Sequence, residues 1–422
     1  MATLNFRKRN ETWEYYFEGG MIDGKRKRIS KGGFKTKKEA SAAGAKAMTE
    51  YNSAGSVFTP SDITVSDYLD YWLDTYCKMN LKYTTQVNYV KMVNNYLKPK
   101  FGAYKLKALT PSIIQEWLND SKRTGFSRGQ LSNIFNMFTS ALRYAVVTCK
   151  YIPHNPCLDA KIPKYEGGNE NKQRYIISVE DFNRICEKFK NTRFYISIMI
   201  GWYTGLRISE AFALTWDDID LKSDTINVNK QVVKRNYGLD VRKGIGEKVK
   251  EKNASWYFTT TKSNSSNRIV NFGKTLHNAL VAEKIKQNEN ELKYGEYYIT
   301  NVIKFEKDEK GNDVQRIIPV EKGVSDLKRV NFINIDEDGS YTSTNSFKYC
   351  SKIINYELQI AFNYHSLRHT HATYLIENDA EPKDVQVRLG HSNITTTLNS
   401  YTHDTDKMKN DTVDIFEKFV TM

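Results

Sequence analysis

The spacing of apolar residues changes character twice along this chain of 422 residues. Near the N-terminus, "TWEYYFEG" from Thr12 alternates aromatic and polar positions, the period of a half-buried strand. "KRKRISK" from Lys25 follows the turn-like "MIDGK" and pairs with it as a hairpin. "GGFKTKKEASAAGAKAMTEYN" then opens a helix, with Thr36 and Glu39 at the spacing of a capping box. Residues 1–58 are therefore expected to form a small three-stranded sheet plus one helix. From about residue 62 the period lengthens to that of a helix. Val65, Tyr68, Leu69 and Trp72 share one helical face, and "TTQVNYVKMVNNYL" repeats the pattern. "LTPSIIQEWLND" offers Thr110 as N-cap and Pro111 at the first helical position. "SRGQLSNIFNMFTSALRYAVV" predicts a fourth helix, stopped by the prolines of "YIPHNPC". Residues 62–160 thus read as a helical bundle.

A polar, glycine-containing stretch, 161–174, reads as a linker. Residues 175–422 read as one larger, mixed and mostly helical domain. Within it "KFEKDEKGNDVQ" and "NIDEDGSYTS" look like loop or hairpin insertions. The "DEDG" run lacks the later ligands of a calcium loop and reads as a turn. The tail "NDTVDIFEKFVTM" places Val413, Phe416 and Val420 on one side, as an amphipathic helix would, and is expected to dock on a neighbouring subunit. The whole is a multidomain α+β chain.

Charge adds direction. The chain carries 63 Lys and Arg against 49 Asp and Glu, a formal net charge of +14. Residues 1–58 alone hold 12 basic and 6 acidic residues, a net +6. An excess of this kind favours a polyanionic partner, because each neutralised phosphate releases condensed counterions. A compact basic sheet could lie against a DNA groove, with Arg26, Lys27, Arg28, Lys35 and Lys37 as its candidate contacts. The five cysteines are scattered, with no C-x-x-C pair, which favours neither a disulfide framework nor a Cys-based zinc site. No stretch reaches the roughly 20 apolar residues that span a bilayer, and no secretory signal is expected behind "MATLNFRKRN". A reducing cytoplasm is the expectation.

The chemistry concentrates in "HSLRHTHATYL", which holds three of the seven histidines. Wound as a helix at about 100° per residue, it puts Leu367, His371, Tyr374 and Leu375 on one side and His365, Arg368, His369 and Ala372 on the other. His371 then reads as a packed core residue. His365 and His369 have the i, i+4 spacing of a zinc pair, yet Ser366 stands where H-E-x-x-H has its glutamate. Arg368 would also set a fixed cation beside the metal. No metal and no cofactor is expected. Arg and His together suit an anion instead, the planar guanidinium matching two phosphate oxygens and the imidazole donating or exchanging a proton. His369 is left open between a bond within the fold and a contact with DNA.

Three further segments complete the pattern. Upstream, "YTGLRISEAFALTWDDIDL" carries Arg207 after a Thr-Gly turn, with Glu210 one helical turn later. Between, "TTTKSNSSNRIVNF" sets Lys262 in a polar turn flanked by two β-like runs. Downstream, "VQVRLGHSNITTTLNSYTH" carries His391 after a glycine and Tyr401 ten residues on.

Together these segments, covering residues from about 175 to 405, resemble the signature of the tyrosine recombinases, the phage-integrase family. The family's ordered set is Arg, Lys, His-x-x-Arg, His or Trp, and Tyr. It falls here on Arg207, Lys262, His365 with Arg368, His391 and Tyr401, and Arg268 and Val270 fit the family's hairpin pattern beside Lys262. The helical region is similar to the family's core-site-binding domain. The basic N-terminal unit resembles the arm-site-binding domain of integrases from Gram-positive temperate phages and integrative conjugative elements. Two features depart from the family's pattern: His371 stands where an apolar residue is usual, and the segment 300–345 exceeds what a minimal catalytic domain needs.

The resemblance implies a site-specific recombinase acting on double-stranded DNA at core and arm sites. Tyr401 would be the nucleophile, forming a 3′-phosphotyrosine. Arg207, Arg368 and His391 would hold the phosphate, Lys262 would protonate the leaving 5′-oxygen, and His365 would serve as base. Glu210 would orient the site. It further implies a homotetramer on DNA, with an excisionase and a host DNA-bending protein as accessory partners. Two alternatives share some of these features. A type IB topoisomerase-like relaxing enzyme would not need the basic N-terminal unit, and an inactive DNA-binding regulator would not need the full catalytic set.

Overall fold

The computed structural model describes residues 3–9, 11–22, 25–54, 63–165, 175–236, 254–261, 264–308 and 310–395. Lys262, Tyr401, the apolar tail and most of the proposed linker lie outside these residues. The chain divides into two compact units, Met1–Glu166 and Gly167–Met422.

The first unit opens with the expected antiparallel sheet, in order β1 (Asn5–Arg9), β2 (Thr12–Ile22), β3 (Lys25–Phe34). Its alternation buries Tyr15 and Phe17 against Ala47 of helix α1 (Lys37–Ala54). The capping box forms as spaced: the Glu39 N–H donates to Thr36 Oγ1 at 3.2 Å, and the Thr36 N–H to Glu39 Oε2 at 3.4 Å. Four helical rods follow. The first is α2 (Val65–Trp72), carried on through a π turn, Leu73–Cys77, to Lys78–Asn80. The second is α3 (Tyr83–Met92), carried on through a π turn, Val93–Leu97, to Lys98–Phe101. Then come α4 (Pro111–Arg123) and α5 (Arg128–Val147). Val65, Tyr68, Leu69 and Trp72 are all fully buried, as their spacing requires. Thr110 caps α4 by accepting from the Ile113 N–H, with Pro111 where no N–H is needed.

The second unit surrounds a large apolar core with helices and two sheets, and Ala372, Val385 and Leu389 form a smaller cluster of their own. In chain order it contains α6 (Val179–Phe189), α7 (Tyr195–Thr204), the single turn α8 (Ile208–Ala211), β4 (Ile219–Asp220), β5 (Thr225–Val228), β6 (Lys230–Arg235), β7 (Ser255–Thr260), β8 (Arg268–Asn271) and α9 (Lys274–Tyr294). It continues with β9 (Ile299–Lys307), β10 (Asp313–Glu321), β11 (Arg329–Val330), α10 (Phe347–Tyr356), α11 (Tyr364–Glu377) and α12 (Pro382–Leu389). The sheets have the orders β11-β9-β10-β7-β6 and β4-β5-β8. The "KFEKDEKGNDVQ" stretch is the tip of the β9–β10 hairpin, so part of the unusually long segment enlarges the bigger sheet.

Two sequence expectations need correction. The β-like runs beside Lys262 are strands, but they do not pair with one another. β7 lies between β6 and β10, whereas β8 pairs with β5 in the smaller sheet. The packing explains the split: Phe258 of β7 stacks near Phe332, while Val270 of β8 is buried opposite Ile226. The two-sided reading of "HSLRHTHATYL" also fails. Arg368, His369 and Ala372 are as buried as Leu367, and only His365 at the start is well exposed. α11 is enclosed because its polar groups find partners within the fold. Thr370 Oγ1 accepts from the Ile177 N–H at 3.0 Å, and Tyr374 donates to the Ile177 carbonyl at 3.0 Å. α7 approaches so closely that a Cβ on Gly201 would stand 2.7 Å from Leu367 Cδ1.

Candidate active site

The site is organised by the end of α12. The last carbonyls of any helix lack intrahelical donors and carry partial negative charge. Gly390, left-handed at φ 67°, closes α12, its N–H donating to the Val387 carbonyl. His391 is tied back on both sides of Gln386: its N–H donates to the Gln386 carbonyl, and its carbonyl accepts from Gln386 Nε2. The next three carbonyls each accept from an arginine. Arg268 Nε reaches Arg388 O at 2.6 Å, Arg368 Nη2 reaches Leu389 O at 2.8 Å, and Arg207 Nη2 reaches Gly390 O at 3.1 Å. Arginines separated by as many as 161 positions thus meet on three consecutive peptide units.

Each of the three has a second anchor. Arg368, only 1% exposed, donates through Nη1 to the Gly205 carbonyl at 2.9 Å. Arg207 begins α8, where its N–H and Nη1 both donate to Glu210, at 3.1 and 2.7 Å. Arg268 donates from Nη2 to Glu210 Oε2 at 3.1 Å, the oxygen that also accepts the Arg207 N–H, and from Nη1 to Ser266 O at 2.9 Å. Glu210 is therefore a buried carboxylate held between two guanidinium groups. Burial by itself would raise its pKa, but the charges of Arg268 and Arg207 outweigh that and hold it below the ordinary 4.5. The helix end and Glu210 together supply the negative charge that lets three cations sit close together.

His391 stands at the mouth of this cluster. Burial, then the positive charge of Arg368 and Arg207, pushes its imidazole down to about 3, so it is neutral at working pH. His365 and His369 meet edge to face, ring centroids 4.5 Å apart. They line a pocket of about 430 Å³ with Tyr175, Asn355, Asn363 and Ser366. Arg207 keeps part of its surface open, with N–H donors beyond those spent on Glu210 and Gly390. A fixed cluster of cations beside a neutral imidazole can bind a phosphate and stabilise charge growing on its oxygens.

The structure brings together Arg207, Glu210, His365, Arg368 and His391 from the sequence-derived set, and Lys262 and Tyr401 lie outside the described residues. In the other unit, Arg26 and Lys27 belong to β3, though nothing is described of their side chains. Arg28 is exposed, 3.2 Å from Glu18 Oε1, with its guanidinium 4.9 Å from the Tyr16 ring centroid. Lys35 and Lys37 are also exposed, and Lys37 Nζ lies 5.6 Å from the Trp13 ring centroid. Sequence reasoning passed over Arg268 and Arg388 as site residues. A signal existed for the first: on β8 it shares the buried phase with Val270, an unusual position for a charge unless a partner awaits it.

Comparison with known proteins gives the same architecture. The phage integrase family profile matches residues 177–408, its N-terminal SAM-like domain residues 64–121, and the arm DNA-binding domain residues 5–51. A tyrosine recombinase XerC-like protein of Caldanaerobacter subterraneus subsp. tengcongensis is 28% identical over 384 residues, covering 90% of this chain and 89% of the relative. The integrase of Staphylococcus phage L54a is 24% identical over 378 residues, covering 85% of this chain and 94% of its own. Among solved structures, the Tn1549 transposon integrase in complex with a circular intermediate DNA superposes with a TM-score of 0.60 at 20% identity, over 84% of this chain and 99% of that one. A lambda integrase tetramer bound to a Holliday junction gives 0.52 at 14% identity, over 95% and 99%.

Proposed function

The chain belongs to the phage integrase family, the tyrosine recombinases, enzymes that cleave and rejoin DNA at specific sites; on that premise we propose which residues perform the reaction and how. Tyr401 attacks the scissile phosphodiester. Its phenolic oxygen bonds to phosphorus, the bond to the 5′-oxygen breaks, and a 3′-phosphotyrosine remains. A phenol of pKa about 10 is a weak nucleophile at neutral pH, so His365 takes its proton. Lys262 delivers a proton to the departing 5′-oxygen, a role worth about 10²–10⁴-fold. Arg207, Arg368 and His391 hold the non-bridging oxygens as charge builds on them, each well-placed donor contributing about 3–4 kcal/mol. Glu210 orients Arg207. The 5′-hydroxyl of a partner strand then attacks the phosphotyrosine and releases Tyr401, so bond energy is conserved and no nucleotide is spent.

One observation carries this reading: Arg207 and Arg368 rest on adjacent carbonyls, Gly390 O and Leu389 O, and so lie side by side although 161 positions separate them. The remaining roles follow the domain order. Residues 1–58 bind arm-site DNA through Arg26, Lys27, Arg28, Lys35 and Lys37, residues 62–160 bind core-site DNA, residues 161–174 link, and residues 175–422 catalyse. The working form is a homotetramer on double-stranded DNA in the bacterial cytoplasm, its tail docked on a neighbour, with an excisionase and a host DNA-bending protein as accessory partners. Among the described residues no helix is long and apolar enough to cross a membrane.

The test is a nicked core-site DNA that traps the covalent adduct. Wild type should accumulate it, and Tyr401→Phe should form none. An adduct that persists in Tyr401→Phe refutes the assignment of the nucleophile.

A further inference from the structure

Behind the three arginines lies a second layer that the proposed chemistry does not use. His371 Nδ1 lies 2.8 Å from the Trp202 carbonyl, and its Nε2 lies 3.0 Å from Arg388 Nε. A carbonyl only accepts and a guanidinium only donates. Nδ1 must therefore carry the proton and Nε2 the lone pair, so the ring is held neutral in a single tautomer. Burial, followed by the charges of Arg388 and Arg368, lowers its pKa to about 4, consistent with that state. Arg388 extends the link, its Nη2 donating to the Tyr203 carbonyl at 3.0 Å. The last turn of α12 is thereby tied to the last turn of α7, immediately before Gly205 and Arg207. There is no slack behind the ring: a Cβ on Gly205 would stand 2.9 Å from His371 Cδ2 and 2.7 Å from Leu389 Cδ2.

Resting on the reading that Arg207 and Arg368 grip the scissile phosphate, we propose that His371 and Arg388 are positioning residues: the neutral imidazole fixes Arg388, and Arg388 fixes the helix end whose three carbonyls set Arg268, Arg368 and Arg207. Neither touches DNA. Their effect passes through the backbone of residues 388–390. Phenylalanine at 371 could not accept the Arg388 Nε–H, and the mostly buried guanidinium would be left to seek another partner and carry the turn with it.

The experiment compares His371→Phe, Arg388→Leu and the double variant with wild type. Single-turnover cleavage of nicked core-site DNA at saturating protein is measured beside Kd for the intact core site. Each single variant should cleave about 10–100-fold more slowly, the scale of a misplaced phosphate clamp, with Kd changed less than about twofold. The double variant should be no worse than the poorer single one, since the pair acts as one link. Replacing the scissile phosphate by an uncharged methylphosphonate should shrink the deficit, because less charge then needs the arginines. Singles within twofold of wild type overturn the proposal. So do equal losses in binding and cleavage, multiplied effects in the double variant, or a deficit unchanged on the methylphosphonate. Should thermal melting show that His371→Phe does not fold, Arg388→Lys, which keeps the charge but loses Nε–H, is read in the same assay. Tyr401→Phe and Arg207→Ala run alongside: normal cleavage by these would sink the parent reading, whereas their failure beside normal cleavage by His371→Phe would sink only this one.

Discussion

Two groups of arginines in this chain show what burial does to one side chain. On the N-terminal sheet, Arg7, Arg9 and Arg28 are 38%, 71% and 53% exposed and pair with Glu14 or Glu18 across the strands. Arg7 and Arg28 also lie over the Tyr16 ring. Exposed pairs of this kind are screened by solvent and worth little, so each guanidinium can exchange a carboxylate for another anion at small cost. In the second unit, Arg268 and Arg368 are almost wholly buried and fixed to backbone carbonyls. Their desolvation is met during folding, and they need not reorganise when charge develops beside them. Exposure suits a sliding, adjustable contact. Burial suits a fixed electrostatic frame.

That contrast can be broken most sharply at the frame. Arg207→Ala or Arg368→Ala should lower the rate of covalent adduct formation by about 10²–10³-fold, read by single-turnover cleavage. A loss as small as that expected on the exposed sheet would erase the distinction. Next in size is Glu210→Gln, which leaves two guanidinium groups around a neutral amide. It should destabilise the second unit by about 3 kcal/mol at neutral pH, measured by denaturant unfolding. The sign with pH is fixed by the lowered pKa of Glu210. Its contribution is complete above the ordinary value of 4.5 and disappears as pH falls through the lower folded value, so the variant and wild type should converge in acid.

Gly390→Ala should follow. A left-handed alanine costs about 1–2 kcal/mol, and its Cβ would stand 3.0 Å from Arg268 Nη1 and 3.1 Å from Ser265 O. Thermal unfolding measures the penalty. The smallest effect belongs to Arg28→Ala on the sheet. Stability should change by no more than about 0.5 kcal/mol, while the salt dependence of arm-DNA binding should weaken by a slope of about 1 and core-site cleavage should stay as it was.

Local rules carried the sequence reading far in the first unit. Tyr15 and Phe17 alternate on a strand, Thr36 and Glu39 cap a helix, and Val65, Tyr68, Leu69 and Trp72 line a face, all decided by neighbours a few positions away. The second unit defeated the same rules where distant partners intervene. α11 looked two-sided because Arg368 and His369 are polar, yet Gly205 O, Leu389 O and other groups far along the chain satisfy buried polar atoms that periodicity assigns to water. The family resemblance implied a hairpin around Lys262, but side-chain packing sends the two runs to different sheets. The family resemblance grouped Arg207, His365, Arg368 and His391, and the structure places them in one region. The resemblance gave no hint of the carbonyls that aim them, because a backbone oxygen has no letter in a sequence.

The Arg388, Leu389 and Gly390 carbonyls are contributed by consecutive peptide units at the end of one short helix. A shift of that helix end would carry all three oxygens away from their guanidinium groups together. The three cations are therefore geared together: an insertion, a strained substitution or a pulling force anywhere in this short stretch would be expected to disengage them as a set. Selection or engineering acting on any one of them must keep all three in step.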